Sequence, residues 1–224
     1  MILELIIRED SMDNISIVIR NKNEQQHIGY AIQSCLDFFN RPEIIIVDND
    51  SRDRSLDNVM LFNDRTKIKI VNNSDYTPGK SLNIGVKKAS NEYILILSAH
   101  AQIINVDFEK IKKNLVKNKA IFGKQIPVYK GKRITPRYIW THFGDKKVIN
   151  MNSKLENRHF FHNAFSFFKR DTLIDFPFDE KYGSKEDRYW AKDLVLNGDS
   201  YLYDPELVIN HFYTEGGATW KGIG

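Results

Sequence analysis

The chain reads as an α/β protein, a mostly parallel sheet flanked by helices on both faces, with a smaller β element joined to it. Three observations carry that expectation. Ile44-Ile45-Ile46-Val47 and Tyr93-Ile94-Leu95-Ile96-Leu97 are apolar without alternation, as strands covered on both faces are. Segments with helical spacing lie between the strands, and alternating strand and helix is the pattern of parallel crossovers. Every strand runs out into a polar cluster: Arg20 to Glu24, Asp48 to Ser51, Asn72 to Asp75, and Ser98 to His100. In open sheets of this kind ligands bind beyond the carboxyl ends of the strands.

Residues 2 to 7 (Ile-Leu-Glu-Leu-Ile-Ile) can form a short extra strand, and Ile15 to Ile19 is a clearer one. Ile28, Ala31, Ile32, Cys35, Leu36 and Phe39 then recur at helical spacing, and Arg41-Pro42 ends that helix. After the Ile44 to Val47 strand, Ser51 to Phe62 can be helical and Lys67 to Val71 alternates as a strand does. Thr77-Pro78 opens the next helix, with a hydroxyl to cap and proline at the first position. Its apolar face is Leu82, Val86 and Ala89, and it feeds the Tyr93 strand. Beyond Gln102 the spacing predicts a helix over Phe108 to Val116 and a strand over Ala120 to Gln125. Pro127 to Leu155 is basic, aromatic-bearing and aperiodic, which suits a solvated face or a cover over a site. Phe160 to Phe168 is strand-like, Arg170 to Ile174 a short helix, and Phe176 to Glu180 a turn. Glu186 to Leu196 is a helix stopped by Asn197-Gly198. Two short strands, Tyr201 to Tyr203 and Leu207 to Ile209, flank Asp204-Pro205 before His211.

With 224 residues, 42% of them hydrophobic, the chain can bury one sizeable core, so a single domain is expected. The +4 formal charge is scattered over 33 basic and 29 acidic residues, which argues against nucleic acid as a partner. A lone cysteine, Cys35 in an apolar helical run, excludes an internal disulfide framework and fits a reducing compartment. No apolar stretch approaches the roughly 20 residues of a membrane span. A cytoplasmic protein that at most touches the inner face of a membrane is the expectation.

Five ordered motifs carry a resemblance. They are Ile17-Val18-Ile19-Arg20-Asn21-Lys22-Asn23-Glu24, Ile46-Val47-Asp48-Asn49-Asp50-Ser51-Arg52-Asp53, Gly79-Lys80-Ser81-Leu82-Asn83-Ile84-Gly85 leading to Asn91-Glu92-Tyr93-Ile94, Phe178-Asp179-Glu180, and Glu186-Asp187-Arg188-Tyr189-Trp190. Together they make the chain resemble the family 2 glycosyltransferases of the GT-A fold, from Ile15 to His211. That resemblance implies residues 15–104 as a nucleotide-binding half and 105–224 as an acceptor-binding half. It implies sugar transfer from a nucleoside diphosphate donor to a glycan or lipid-linked glycan hydroxyl, with inversion, as in surface polysaccharide assembly. Asp48 would hydrogen-bond the base, with Asp50 beside it; Arg20, Asn21, Asn23 and Glu24 would border the nucleoside; Lys80 and Asn83 would line the donor site. Independently, a helix amino end near Pro78 with Lys80 beside it favours phosphate.

Where most of the family carries Asp-x-Asp, holding Mg²⁺ or Mn²⁺, this chain has Ser98-Ala99-His100. Hard cations want oxygen ligands, so serine and histidine are poor partners for Mg²⁺, while histidine suits Mn²⁺ or Zn²⁺ better. A subset of the family resembles this chain in that Ser-x-His tip, in Gly123-Lys124-Gln125-x-Pro127 and in Phe161-His162-Asn163-Ala164. By resemblance His100 and His211 are the candidate metal or phosphate contacts, and His162, Asn163 and Arg188 belong to the acceptor side. Asp187 is the candidate base, with Glu186 orienting it or the acceptor; the plainer reading is that both acids complement a helix dipole. Two other functions stay open: transfer from a CMP-sugar or nucleotidyl transfer, and a non-catalytic glycan-binding or scaffold module. Donor base, sugar, acceptor and oligomeric state are not legible.

Overall fold

The computed structural model of the chain describes residues 12–134 and 143–214. The predicted strand at residues 2 to 7 lies outside them. Four parallel strands open the fold: β1 (Ile15–Asn21), β2 (Glu43–Asp48), β3 (Ile68–Asn72) and β4 (Tyr93–Ser98). Three helices connect them, α1 (Ile28–Phe38), α2 (Ser55–Met60) and α3 (Pro78–Lys88). The chain then forms β5 (Ala101–Asn105), α4 (Phe108–Asn114), β6 (Ala120–Tyr129), β7 (Lys132–Arg133) and β8 (Val148–Ile149). It closes with β9 (Asn152–Ser153), β10 (Arg158–His159), β11 (Phe165–Lys169), α5 (Arg170–Asp175), α6 (Glu186–Leu196) and β12 (Tyr201–Phe212).

The main sheet runs β3-β2-β1-β4-β11-β6-β12-β5, with β7 on β6 and β8 on β12; β9 and β10 form a separate pair. Because β11 is antiparallel to both β4 and β6, and β12 is parallel to β6, the strands β1 to β4, β6 and β12 all point one way. Their carboxyl ends therefore share one rim. The amino ends of β11 and β5 reach the same rim.

Alternation along the buried strands divides the core in two. Ile17, Ile19, Leu95, Leu97, Phe165 and Phe167 pack with Ile28, Ile32 and Cys35 of α1. Val18, Val47, Ile94, Ile96 and Phe168 pack with Leu82 and Val86 of α3 and with Trp190 and Leu194 of α6. Thr77 caps α3, its hydroxyl accepting from the Lys80 N–H at 3.2 Å. Gly85 lets that helix lie close, since a Cβ there would sit 2.3 Å from Val18 Cγ1.

The second half differs from its sequence reading in several places, one being that the short strands β7, β8 and β9 lie within the Pro127 to Leu155 stretch read as aperiodic. Tyr201 to Ile209 is not two strands but part of one, β12, because Asp204-Pro205 is absorbed as a bulge: the register on β6 shifts between Asp204 and Val208. Proline brings no N–H to the ladder, so a bulge is where a sheet tolerates it. β6 continues through Pro127 to Tyr129, beyond the expected end at Gln125. β11 starts only at Phe165, since residues 161 to 164 form an irregular lead-in. No helix among the described residues is long and apolar enough to cross a membrane.

Candidate active site

At the rim, the tips of β1 and β2 are bound to each other. Asn21 Nδ2 donates to Asp48 Oδ1 at 2.7 Å and to Ser51 Oγ at 3.1 Å. Asp48 also accepts from the Ser51 N–H at 3.0 Å and the Ser51 hydroxyl at 2.7 Å. Asn23 accepts from the Arg52 N–H at 2.8 Å, and Lys22 Nζ donates to the carbonyls of Asn49 and Asp50. Asn23 and Asp50 reach these positions with φ of 54° and 49°, in the left-handed region where Asn and Asp are the usual non-glycine residues. A buried carboxylate, Asp48, is thus held rigidly between two loops, and the exposed Asp50 turns outward beside it.

At the centre, His100 Nδ1 lies 2.9 Å from Glu24 Oε1, and His100 Nε2 lies 3.2 Å from Ser98 Oγ. Burial pushes the Glu24 carboxyl up, but hydrogen bonds and charge from His100 and His27 outweigh it and hold the group below its ordinary range. Glu24 is therefore a carboxylate, an acceptor only, so Nδ1 of His100 carries a proton. His211 is buried and stacks on His100 with ring centroids 4.8 Å apart and 16° between planes. Burial, then the neighbouring His100, His162 and His27, keep His211 neutral by lowering its pKa.

Stacked imidazoles hold their in-plane lone pairs side by side, so His100 and His211 do not aim at a common ion. Among the described residues no three His, Cys, Asp or Glu side chains converge on a point that would hold one. One imidazole nitrogen and one hydroxyl are also a poor donor set for Mg²⁺. As arranged, these residues do not fit a divalent cation.

Opposite this cluster, α6 delivers the acid pair. Arg20 Nη1 reaches across the cleft to Glu186 Oε1 at 3.3 Å, joining the β1 tip to the start of α6. Asp187 Oδ1 accepts from the Arg188 N–H at 2.8 Å. Burial first, and then the charge of Glu186, push the Asp187 carboxyl up to about 7, against the opposing pull of Arg188 and Arg20. Of the two consecutive acids, Glu186 is paired with Arg20, and Asp187 is poised for proton exchange near neutral pH.

Beside them, His162 Nε2 lies 3.0 Å from the Gly123 carbonyl oxygen. A carbonyl only accepts, so Nε2 carries the proton, and burial lowers the pKa to about 3, leaving the ring neutral. Asn163, 4% exposed, accepts from the Ser166 hydroxyl at 3.3 Å. Buried side-chain atoms without a hydrogen-bond partner include Asn21 Oδ1, Gln125 Oε1, His162 Nδ1 and Asn163 Nδ2, all toward this rim; Arg170 Nε is at the sheet's other end. Orphaned buried polar groups are rare in native proteins.

Not every candidate faces the cleft. Asn83 donates to the Phe178 carbonyl at 2.8 Å and to Glu180 Oε1 at 2.9 Å, and accepts from the Phe178 N–H at 3.0 Å. It clasps the Phe178 to Glu180 loop onto α3. Lys80 Nζ pairs with Asp75 Oδ2 at 2.5 Å at the surface end of the same helix. Sequence reasoning marked Gln125 as part of a motif but gave it no role. It also had no sign of the Arg20–Glu186 and Glu24–His100 pairs, whose members lie 166 and 76 residues apart.

The family model described as glycosyl transferase family 2 matches residues 16–176. The chain belongs to that family. An uncharacterized glycosyltransferase of Haemophilus influenzae is 29% identical to this family 2 member over 111 residues, 48% of this chain and 44% of that protein. Among solved structures, S. aureus TarS 1-349 in complex with UDP-GlcNAc is similar with a TM-score of 0.68 at 19% identity, covering 94% of this chain and 61% of that one. GalNAc-T7 with UDP, GalNAc and Mn²⁺ is similar with a TM-score of 0.68 at 14% identity, covering 93% of this chain and 45% of that one. These likenesses show the GT-A fold. The chain spans less than half of the curated relative and under two thirds of either structure.

Proposed function

We propose that this family 2 glycosyltransferase moves a sugar, with inversion, from a nucleoside diphosphate donor to a glycan or lipid-linked glycan hydroxyl in surface polysaccharide biosynthesis, at the inner face of a membrane. The observation that carries the reading is Asp187: a carboxyl raised to about 7, at the amino end of α6, across the cleft from the β1 tip. That UDP-GlcNAc is bound by TarS and UDP by GalNAc-T7 supports a nucleotide-sugar donor.

In the reaction the acceptor O–H proton passes to the Asp187 carboxylate while the acceptor oxygen bonds to the anomeric carbon. The bond from that carbon to phosphate breaks, its electron pair leaving with the nucleoside diphosphate. Arg20, at the β1 tip, is the cationic side chain near which that charge develops. Asp48 and the Asn21 carbonyl oxygen, fixed between the β1 and β2 tips, would read the base.

The test is Asp187→Asn. General-base assistance is worth about 10² to 10⁴ in rate, so transfer should fall by that factor while calorimetric binding of UDP, or of whichever nucleoside diphosphate binds, stays unchanged. Turnover within a few-fold of wild type would remove Asp187 from the role.

A further inference from the structure

Arg20 on β1 and Ser98 on β4 are register partners in adjacent parallel strands. Alternation puts them on one face, because Val18 and Ile96, two residues earlier on each strand, both pack in the half of the core under α3 and α6. Most of the family has its cation-holding acidic motif at the position of Ser98 to His100. Here that position opens on a hydroxyl, and an arginine stands on the neighbouring strand, about 4.8 Å away between strand axes. We propose that Arg20 takes the place of the divalent cation: its guanidinium neutralises the donor diphosphate, so that binding needs no metal, and Glu186 holds the guanidinium until the donor arrives. The inference rests on the transferase reading and deepens it by naming what meets the diphosphate.

The groups that would have to bind a cation are engaged elsewhere. His100 Nδ1 donates to the Glu24 carboxylate at 2.9 Å, so Nε2 holds the ring's lone pair, and that pair accepts from the Ser98 hydroxyl at 3.2 Å. A metal on His100 would first have to break that bond. It would also share the face with a guanidinium, and like charges repel. Arg20 suits the alternative. The Glu186 side chain is 7% exposed and that of Arg20 29%, so one partner is enclosed by the protein and the other borders the open cleft. Arg20 Nη1 makes the Glu186 contact at 3.3 Å, which leaves further N–H donors of the planar fork for phosphate oxygens. Glu186 is itself an anion, so in the free protein it stands where the diphosphate charge will act. The two compete for one guanidinium.

Calorimetry of the full chain with UDP, GDP and dTDP, each in EDTA and in excess Mn²⁺, tests this. The nucleoside diphosphate that binds should do so equally, within about twofold, in both conditions. Arg20→Met should weaken it about tenfold or more, since hydrogen bonds between charged partners are lost. Affinity for the corresponding nucleoside, followed by saturation-transfer NMR, should stay as in wild type; a merely structural role for Arg20 would lower both. Glu186→Gln removes the competing anion and should tighten the diphosphate about two- to fivefold, again with the nucleoside unmoved. Binding that disappears in EDTA and returns with Mn²⁺ would overturn the proposal, and so would an Arg20→Met protein that holds the diphosphate as tightly as wild type. Should Arg20→Met fail to fold, the EDTA comparison on wild type and the Glu186→Gln affinity decide the matter. Failure of the transferase reading looks different: wild type would bind none of the three diphosphates, with or without metal, and this proposal would fall with it.

Discussion

Glu186 and Asp187 are chemically near-identical neighbours whose surroundings drive them apart. The Arg20 guanidinium meets the buried Glu186, whereas Asp187 has an Arg188 N–H and more burial than compensation. The Glu186 charge is the second cause of the raised Asp187 carboxyl, after burial, and Arg20 acts in the opposite sense. A base must be deprotonated, so the transfer rate should be full above the Asp187 pKa and fall away as pH drops through about 7. Glu186→Gln removes a like charge and should lower that pKa, moving the acid limb of the kcat/KM profile to lower pH. Arg20→Met removes an attractive charge and should move the same limb to higher pH. Parallel profiles with unmoved limbs in both variants would mean that the titrating group is not Asp187.

Among the elements, α3 bears on both fold and site: its amino end borders the cleft, and its body presses on β1 and β2. A Cβ on Gly85 would fall 2.3 Å from Val18 Cγ1 and 3.2 Å from Val47 Cγ2. Gly85→Ala must therefore push the helix off the sheet, and overpacking of this kind costs about 1–3 kcal/mol. Urea unfolding should show that loss, with nucleotide affinity falling as the helix end retreats; an unchanged midpoint would refute the close approach. Gly85 was legible only as a residue within a helical pattern, because sequence does not show how near a neighbour will come. β1 to β4 were legible because apolar runs and polar tips punctuate them. β11 was placed without its direction, since a strand covered on both faces reads the same either way round. β12 was split at Asp204-Pro205 because a bulge and a turn have the same composition. The site was legible as a set of strand tips, but its pairings were not: nothing in the spacing of Glu24 and His100, or of Arg20 and Glu186, signals that they meet.

At the scale of the whole molecule, one buried carboxylate ties three strands together at the end of the sheet opposite the cleft. Away from the cleft, the Glu43 carboxylate at the start of β2 accepts from the hydroxyl of Ser16 on β1 at 2.6 Å, from the Ser90 N–H and hydroxyl at 2.8 Å each, and pairs with Lys69 Nζ of β3 at 2.6 Å. Burial pushes Glu43 up, but Lys69, Ser16 and Ser90 outweigh it and bring the group down to about 2 from an ordinary 4.5. A carboxyl lowered on folding stabilises the native state fully above its unfolded pKa, and that contribution is lost as pH falls toward the folded value. By pH 3 the loss should be on the order of 2 kcal/mol, less whatever solvent screening removes at this end of the sheet. Glu43→Gln cannot titrate, so the stability gap between wild type and variant, measured by urea unfolding, should be widest near neutral pH and narrow steadily between about pH 5 and pH 3. Other acids titrate equally in both proteins and cancel in the difference. A gap that stays constant over that range would mean that Glu43 is not the clasp holding β1, β2 and β3 at the end opposite the cleft. The alignment of the β1, β2 and β3 tips would then have to come from the core alone.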